Sequence, residues 1–159
     1  MILLHGFTGS SASWGDRLID GLTSAGVQPV LVDLPGHGRH AGETDPAVFT
    51  LDAALGSISE ASVAGPAPVL GYSMGGRLAL AYAVRHPERV SHLILESASP
   101  GLDTESGRTD RRAADESLAV RLETDGIETF VDSWETQPLF GSQSVLPQEV
   151  RATLRARRL

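Results

Sequence analysis

Val69-Leu70-Gly71-Tyr72-Ser73-Met74-Gly75-Gly76-Arg77 is the stretch from which the fold can be read. An apolar run, Pro68 to Leu70, leads into Gly71-Tyr72-Ser73-Met74-Gly75, and a helical pattern begins at Gly76. This is G-x-S-x-G in the setting that gives it meaning, a strand before it and a helix after it. So tight a turn forces Ser73 into a strained backbone conformation and lifts its hydroxyl above the sheet edge. Gly71 and Gly75 are required because a side chain at either would collide with a neighbouring strand or helix. The helix start places unpaired backbone N–H groups and a partial positive charge beside the hydroxyl.

Outward from this turn, apolar strands alternate with helical segments. Met1 to Leu4 is a short buried strand running into His5-Gly6-Phe7-Thr8-Gly9-Ser10. Ser13 to Ala25 follows as a helix with Trp14, Leu18, Ile19 and Leu22 near one face, ended by Gly26. Val30 to Val32 is the next strand, with Asp33-Leu34-Pro35-Gly36-His37-Gly38 at its end and an exposed loop over 39–46. A helix is predicted from about Pro46 to Val63, then one from Gly76 to His86 that Pro87 terminates, then a strand over Val90 to Leu95. This alternation implies a parallel α/β sheet. From Asp103 the strand signals stop, and helices are predicted at about Asp110 to Asp125, Ile127 to Trp134 and Pro147 to Arg158. The chain therefore divides into a sheet-bearing part, 1–102, and a helical cap region, 103–159.

Bulk properties narrow the function. The 159 residues suffice for a real core, and 41% apolar with 21% charged residues is ordinary for a globular protein. A net charge of −7 argues against a nucleic-acid partner and against a basic membrane-binding face. It leaves room for small anionic ligands held by local arginines. There is no cysteine, hence no disulfide or thiolate metal site, and the five histidines fall in no ligand spacing, so no metal or organic cofactor is suggested. No apolar run approaches membrane-spanning length, and a cytoplasmic location is the default.

The His5-Gly6-Phe7 segment together with the Ser73 turn resembles the α/β-hydrolase fold, here with an incomplete parallel sheet, flanking helices and a helical cap. The resemblance implies an oxyanion hole made by the backbone N–H groups of Phe7 and Met74. His5 is read as packing and hydrogen-bonding its own loop. The motifs Leu4-His5-Gly6-Phe7-Thr8-Gly9, Asp33-Leu34-Pro35-Gly36-His37-Gly38, the Ser73 turn with Arg77, and Glu96-Ser97-Ala98-Ser99-Pro100-Gly101-Leu102 occur in order. Arg108, Arg111 and Asp115 follow, then Trp134-Glu135-Thr136-Gln137-Pro138-Leu139-Phe140. This series resembles the 2-succinyl-6-hydroxy-2,4-cyclohexadiene-1-carboxylate synthases, lyases of menaquinone biosynthesis, across essentially the whole chain. The first three motifs are common to many hydrolases; Arg77, the Pro-Gly-Leu segment with its arginines, and the Trp134 block carry the discrimination.

The resemblance implies elimination of pyruvate from a substrate bearing several carboxylates. Arginine suits such a substrate because its planar fork pairs bidentately with a carboxylate and stays charged. Arg77, at i+4 from Ser73, shares the pocket-facing side of its helix. Arg111 aligns with a cap arginine. For a third arginine, spacing from Pro138 points to Arg155 and the Arg-Leu context to Arg158, and both stand. Tyr72 and Trp134 are candidates to line the pocket, or to pack the core.

A serine needs an imidazole to activate it and a carboxylate to orient the imidazole, in the chain order Ser, acid, His. After Ser73 only His86 and His92 follow, both ahead of any acid in that order. His37 belongs to a loop motif and His40 to none. The expectation is therefore that the N-terminal strands and the C-terminal acid and base are missing from the chain. The isolated polypeptide is then expected to be inactive or nearly so, with an exposed sheet edge that favours aggregation. A generic serine hydrolase, such as an esterase or a carbon–carbon bond hydrolase, and a non-catalytic binding module are the competing readings.

Overall fold

The structure is a computed structural model describing residues 1–62 and 65–158. The chain forms two compact units, Met1–Pro100 and Gly101–Leu159.

The first unit is built on four parallel strands: β1 (Ile2–Leu4), β2 (Val30–Val32), β3 (Ala67–Tyr72) and β4 (Val90–Glu96). Their order across the sheet is β2-β1-β3-β4. The chain steps from β1 outward to β2, then returns past β1 to place β3 on its other side. In such a sheet the crevice at the carboxyl ends of the two strands flanking the reversal is the place where ligands bind. Here those strands are β1 and β3, joined in register with Ile2 opposite Val69 and Leu4 opposite Gly71.

The helices of this unit are α1 (Gly15–Ser24), α2 (Leu51–Ala61) and α3 (Met74–Arg85). The one helix expected from Ser13 to Ala25 is two pieces, a 3-10 turn over Ser11–Trp14 and then α1, because Gly15 sits between them at φ 68°. The Pro46 helix is likewise a 3-10 turn, Pro46–Phe49, before α2. Thr50 is extended between them, and its hydroxyl caps α2 by accepting the Ala53 N–H at 3.2 Å. Its expected end at Val63 lies outside the described residues. The third helix starts at Met74, two residues earlier than its apolar pattern suggests, since nothing but the turn residue Ser73 separates it from β3.

The core follows from strand alternation. Ile2, Leu4 and Val69 point to one face and meet Leu55 and Ile58 of α2 and Ala79 and Tyr82 of α3, all buried. Leu3, also fully buried, points the other way, as expected for a parallel strand covered on both faces. β4 differs. Leu93 packs against the core, but Ile94 and Leu95 are 43% and 41% exposed on this outermost strand.

The second unit holds α4 (Glu105–Glu135), broken at Gly126 with φ 78°, a 3-10 segment over Pro138–Val145, and α5 (Gln148–Ala156). The break falls where two separate helices were expected, and α4 begins five residues before Asp110 because Thr104 caps it by accepting the Gly107 N–H at 3.1 Å. No described helix is long and apolar enough to cross a membrane.

Ile58→Ala removes a fully buried side chain between the sheet and α3, and we expect it to cost about 2–5 kcal/mol in chemical denaturation. Leu95→Lys, on the exposed strand, is expected to leave that stability nearly unchanged while lowering self-association measured by light scattering.

Candidate active site

The carboxyl ends of β1 and β3 bring the two sequence motifs together. From the registered pair Leu4 and Gly71, the chain runs three residues on each side to Phe7 and Met74, the two expected oxyanion donors. The approach is very close. A Cβ on Gly75 would fall inside contact distance of the Leu4 and His5 carbonyl oxygens, and one on Gly71 would meet the Gly75 carbonyl group and lie 2.6 Å from the Gly76 Cα. A Cβ on Gly6 would lie 2.8 Å from the Tyr72 ring, so that ring covers the β1 loop.

Ser73 adopts φ 52° and ψ −111°, a region that side-chain-bearing residues seldom occupy. Its N–H donates to the Glu96 carbonyl at 2.9 Å and its carbonyl accepts the Arg77 N–H at 3.1 Å, which holds the turn between β4 and the first turn of α3. Ser73 is the residue before α3, yet its hydroxyl makes no capping bond, unlike Thr50 and Thr104 before their helices. Among the described residues no histidine hydrogen-bonds this hydroxyl. Two more strained residues sit at neighbouring strand ends, Thr8 (φ 61°) after β1 and Ser97 (φ 51°) after β4. Backbone strain of this kind, on the order of 1–3 kcal/mol each, clusters where function requires it.

Arg77 lies one turn into α3, exposed, and its guanidinium has no ion-pair partner among the described residues. The other candidate arginines belong to the second unit and are engaged there. Arg111 pairs with Asp115 at 2.8 Å along an exposed helix face. Arg155 pairs with Asp132 at 2.8 Å, and that hydrogen bond raises its pKa against a smaller opposing effect of burial. Arg158 is more fully committed: it pairs with Glu135, donates to Gln143 at 3.2 Å and stacks over Phe140 at 5.0 Å. Trp134 stacks on Phe130 at 5.7 Å and tilts against Phe140 at 6.1 Å. Arg151, Arg155, Asp132 and Phe140 line a groove of about 390 Å³ within this unit.

Asp33 reads in the sequence as part of a loop, and the structure gives it a bracing role. Its carboxylate, buried at the end of β2, accepts the Ser11 N–H at 2.7 Å and the Arg39 Nε–H at 3.0 Å. Burial alone would raise its pKa, but the Ser11 and Arg39 donors outweigh it and lower the value to about 2. A Cβ at Gly38 would run into this carboxylate, 2.5 Å from its carbon. The Asp-x-Pro-Gly-x-Gly pattern at a strand end was the available signal. Among the described residues no group of His, Asp and Glu is placed to hold a metal.

The pattern of the α/β hydrolase fold matches residues 1–122, and the chain belongs to that family. A Bacillus subtilis (strain 168) protein, provisionally named a 2-succinyl-6-hydroxy-2,4-cyclohexadiene-1-carboxylate synthase, is 37% identical over 162 residues; the match covers 100% of this chain and 58% of that protein. The synthase of the same name from Enterobacter sp. (strain 638) is 31% identical over 98% of this chain and 59% of its own length. The structure of MenH from S. aureus superposes with a TM-score of 0.85 at 35% identity, over 99% of this chain and 59% of that one. The chain thus spans somewhat under three-fifths of the length of these relatives.

Two outcomes follow from the site geometry. Ser73→Gly relieves the positive φ and is expected to raise stability by about 1 kcal/mol in thermal or chemical unfolding. Asp33 has a depressed folded pKa, so its contribution is complete above pH 4 and is lost as pH falls from about 4 towards 2. We expect a loss on the order of 2 kcal/mol across that window, absent in Asp33→Asn, when unfolding is followed against pH.

Proposed function

We propose that this chain carries part of the active centre of a cytoplasmic lyase that eliminates pyruvate from 2-succinyl-5-enolpyruvyl-6-hydroxy-3-cyclohexene-1-carboxylate in menaquinone biosynthesis. The observation that carries the reading is Ser73: a serine before a helix, held at positive φ, whose hydroxyl does not cap that helix. The names of the similar proteins supply the reaction class, and the arginine series supports it.

In this reading Ser73, coupled to a histidine, removes a proton from the carbon next to the substrate's succinyl carbonyl. Charge then develops on the carbonyl oxygen, and the Phe7 and Met74 N–H groups serve as the donors that stabilise it, the role that preorganised backbone donors play for such a charge. Collapse of that enolate forms a double bond at the deprotonated ring carbon, shifts the existing ring double bond by one position and breaks the carbon–oxygen bond; the enolate of pyruvate that leaves takes up a proton, equivalent to the one removed, to become pyruvate. Arg77 pairs with one substrate carboxylate, and its lack of an ion-pair partner among the described residues suits that role. Arg111 and Arg155 serve the others, exchanging an exposed carboxylate of the protein for one of the substrate. Arg158 holds the Glu135–Gln143–Phe140 cluster, so of the two C-terminal candidates we favour Arg155 for binding. Tyr72, whose ring covers the loop after β1, is the aromatic candidate beside Ser73, whereas the stacking of Trp134 with Phe130 and Phe140 suits the alternative of core packing.

The test is pyruvate release from that substrate by this sequence continued with the segment of the S. aureus protein that lies beyond the match, followed through lactate dehydrogenase. Ser73→Ala is expected to lower kcat by about 10²–10⁴-fold, the usual contribution of a proton-transfer group. Arg77→Ala is expected to raise KM by about 10–100-fold, the worth of a charged hydrogen bond. Turnover of short-chain esters without pyruvate release would instead establish a serine hydrolase.

A further inference from the structure

We propose that His5 is a positioning residue that orients and polarises the Gly6–Phe7 peptide, so that the loop after β2 sets the aim of the Phe7 N–H. The proposal rests on the reading of that N–H as an oxyanion donor.

His5 is buried, 1% exposed, at the end of β1. Its Nε2 accepts the Leu34 N–H at 3.1 Å. Only an unprotonated nitrogen can accept, so the hydrogen-bond network assigns the ring proton to Nδ1. That nitrogen lies 2.9 Å from the Gly6 carbonyl oxygen and donates to it. The Gly6 carbonyl and the Phe7 N–H are opposite ends of one planar peptide unit, so fixing the direction of the first fixes the second. The Gly9 N–H donates to the same oxygen at 3.0 Å. Two donors on the carbonyl draw charge through the amide and make its N–H a stronger donor in turn.

The chain of contacts begins on β2. Asp33 gathers the Ser11 N–H and Arg39, and Leu34, the next residue, presents its N–H to His5. Residues 33 and 34 thus brace the first loop twice, at Ser11 directly and at Gly6 through the imidazole. The groups facing the His5 ring are the Gly6 carbonyl, His37 with ring centroids 5.1 Å apart, and Asp33. Burial, the largest effect, and His37 hold the His5 pKa below the ordinary imidazole value, against the Gly6 carbonyl and Asp33. The ring is therefore neutral at pH 7, as its contact with Leu34 requires.

Nitrogen-15 NMR of the chain tests this in three measurements. The wild-type imidazole should show a protonated Nδ1 and a bare Nε2, and the Phe7 amide nitrogen should follow the ring through its acid titration. In His5→Gln, whose amide oxygen can replace Nε2 but not the Nδ1 donor, the Phe7 nitrogen should move upfield while the Leu34 amide stays. In His5→Asn, whose amide N–H can replace Nδ1, the pattern should reverse. A wild-type ring protonated on Nε2, or a Phe7 nitrogen indifferent to both the titration and His5→Gln, overturns the proposal. These signals are read in the free protein. Adding phenylboronic acid to the sequence continued with the S. aureus segment, first shown to release pyruvate, tests the oxyanion reading separately: shifts at both Phe7 and Met74 amides support it, and no shift at either removes the catalytic purpose from the His5 coupling.

Discussion

The proposed active centre depends on how closely the first turn of α3 is pressed onto the carboxyl end of β1. Gly75 has no room for even one carbon beside the Leu4 and His5 carbonyl oxygens, and Gly71 and Gly76 are packed almost as tightly. β3 and α3 pack this closely with the chain reversing direction within one residue between them. Ser73 is that residue, and its positive φ is the consequence. The same approach sets the spacing between Phe7 and Met74, each three positions beyond a registered strand pair. Serine, strain and candidate donors are therefore outcomes of one steric constraint.

A second layer holds the first in place from the side. β2 contributes no residue to the proposed chemistry, yet Asp33 and Leu34 at its end reach both turns of the loop after β1. A buried carboxylate satisfied by backbone N–H groups and an arginine is a rigid fixture, since losing any donor leaves charge unpaired in a poorly solvated place. The order β2-β1-β3-β4 explains the division of labour. The two central strands present the groups, and their neighbours, through Asp33 and the Glu96 carbonyl, restrain them.

Much of this could be read from residues alone because glycines and turn residues punctuate the chain strongly. The alternation of strands and helices, the turn at Ser73 and its pairing with the Phe7 loop all follow from local patterns. The pieces that did not follow have physical reasons. Helical periodicity runs across Gly15 and Thr50 without registering the change from 3-10 to α geometry, because both place apolar residues at similar intervals. Asp33 reads as an ordinary loop acid until its long-range donors at Ser11 and Leu34's link to His5 are visible. The arginines are the converse case. Residue type marks Arg111, Arg155 and Arg158 alike, whereas their partners differ: one exposed carboxylate for Arg111 and for Arg155, and a part-buried cluster for Arg158.

In the proposed function Ser73, Phe7 and Met74 are joined in one oxyanion-stabilising centre on the α/β hydrolase fold, used for proton abstraction. The most direct measurement is a crystal structure of the protein with 2-succinyl-6-hydroxy-2,4-cyclohexadiene-1-carboxylate bound. The succinyl ketone oxygen is expected within about 3 Å of both the Phe7 and Met74 nitrogens, with the adjacent carbon facing the Ser73 hydroxyl. A ligand whose ketone oxygen contacts neither amide, or a Ser73 with negative φ, would contradict the proposal.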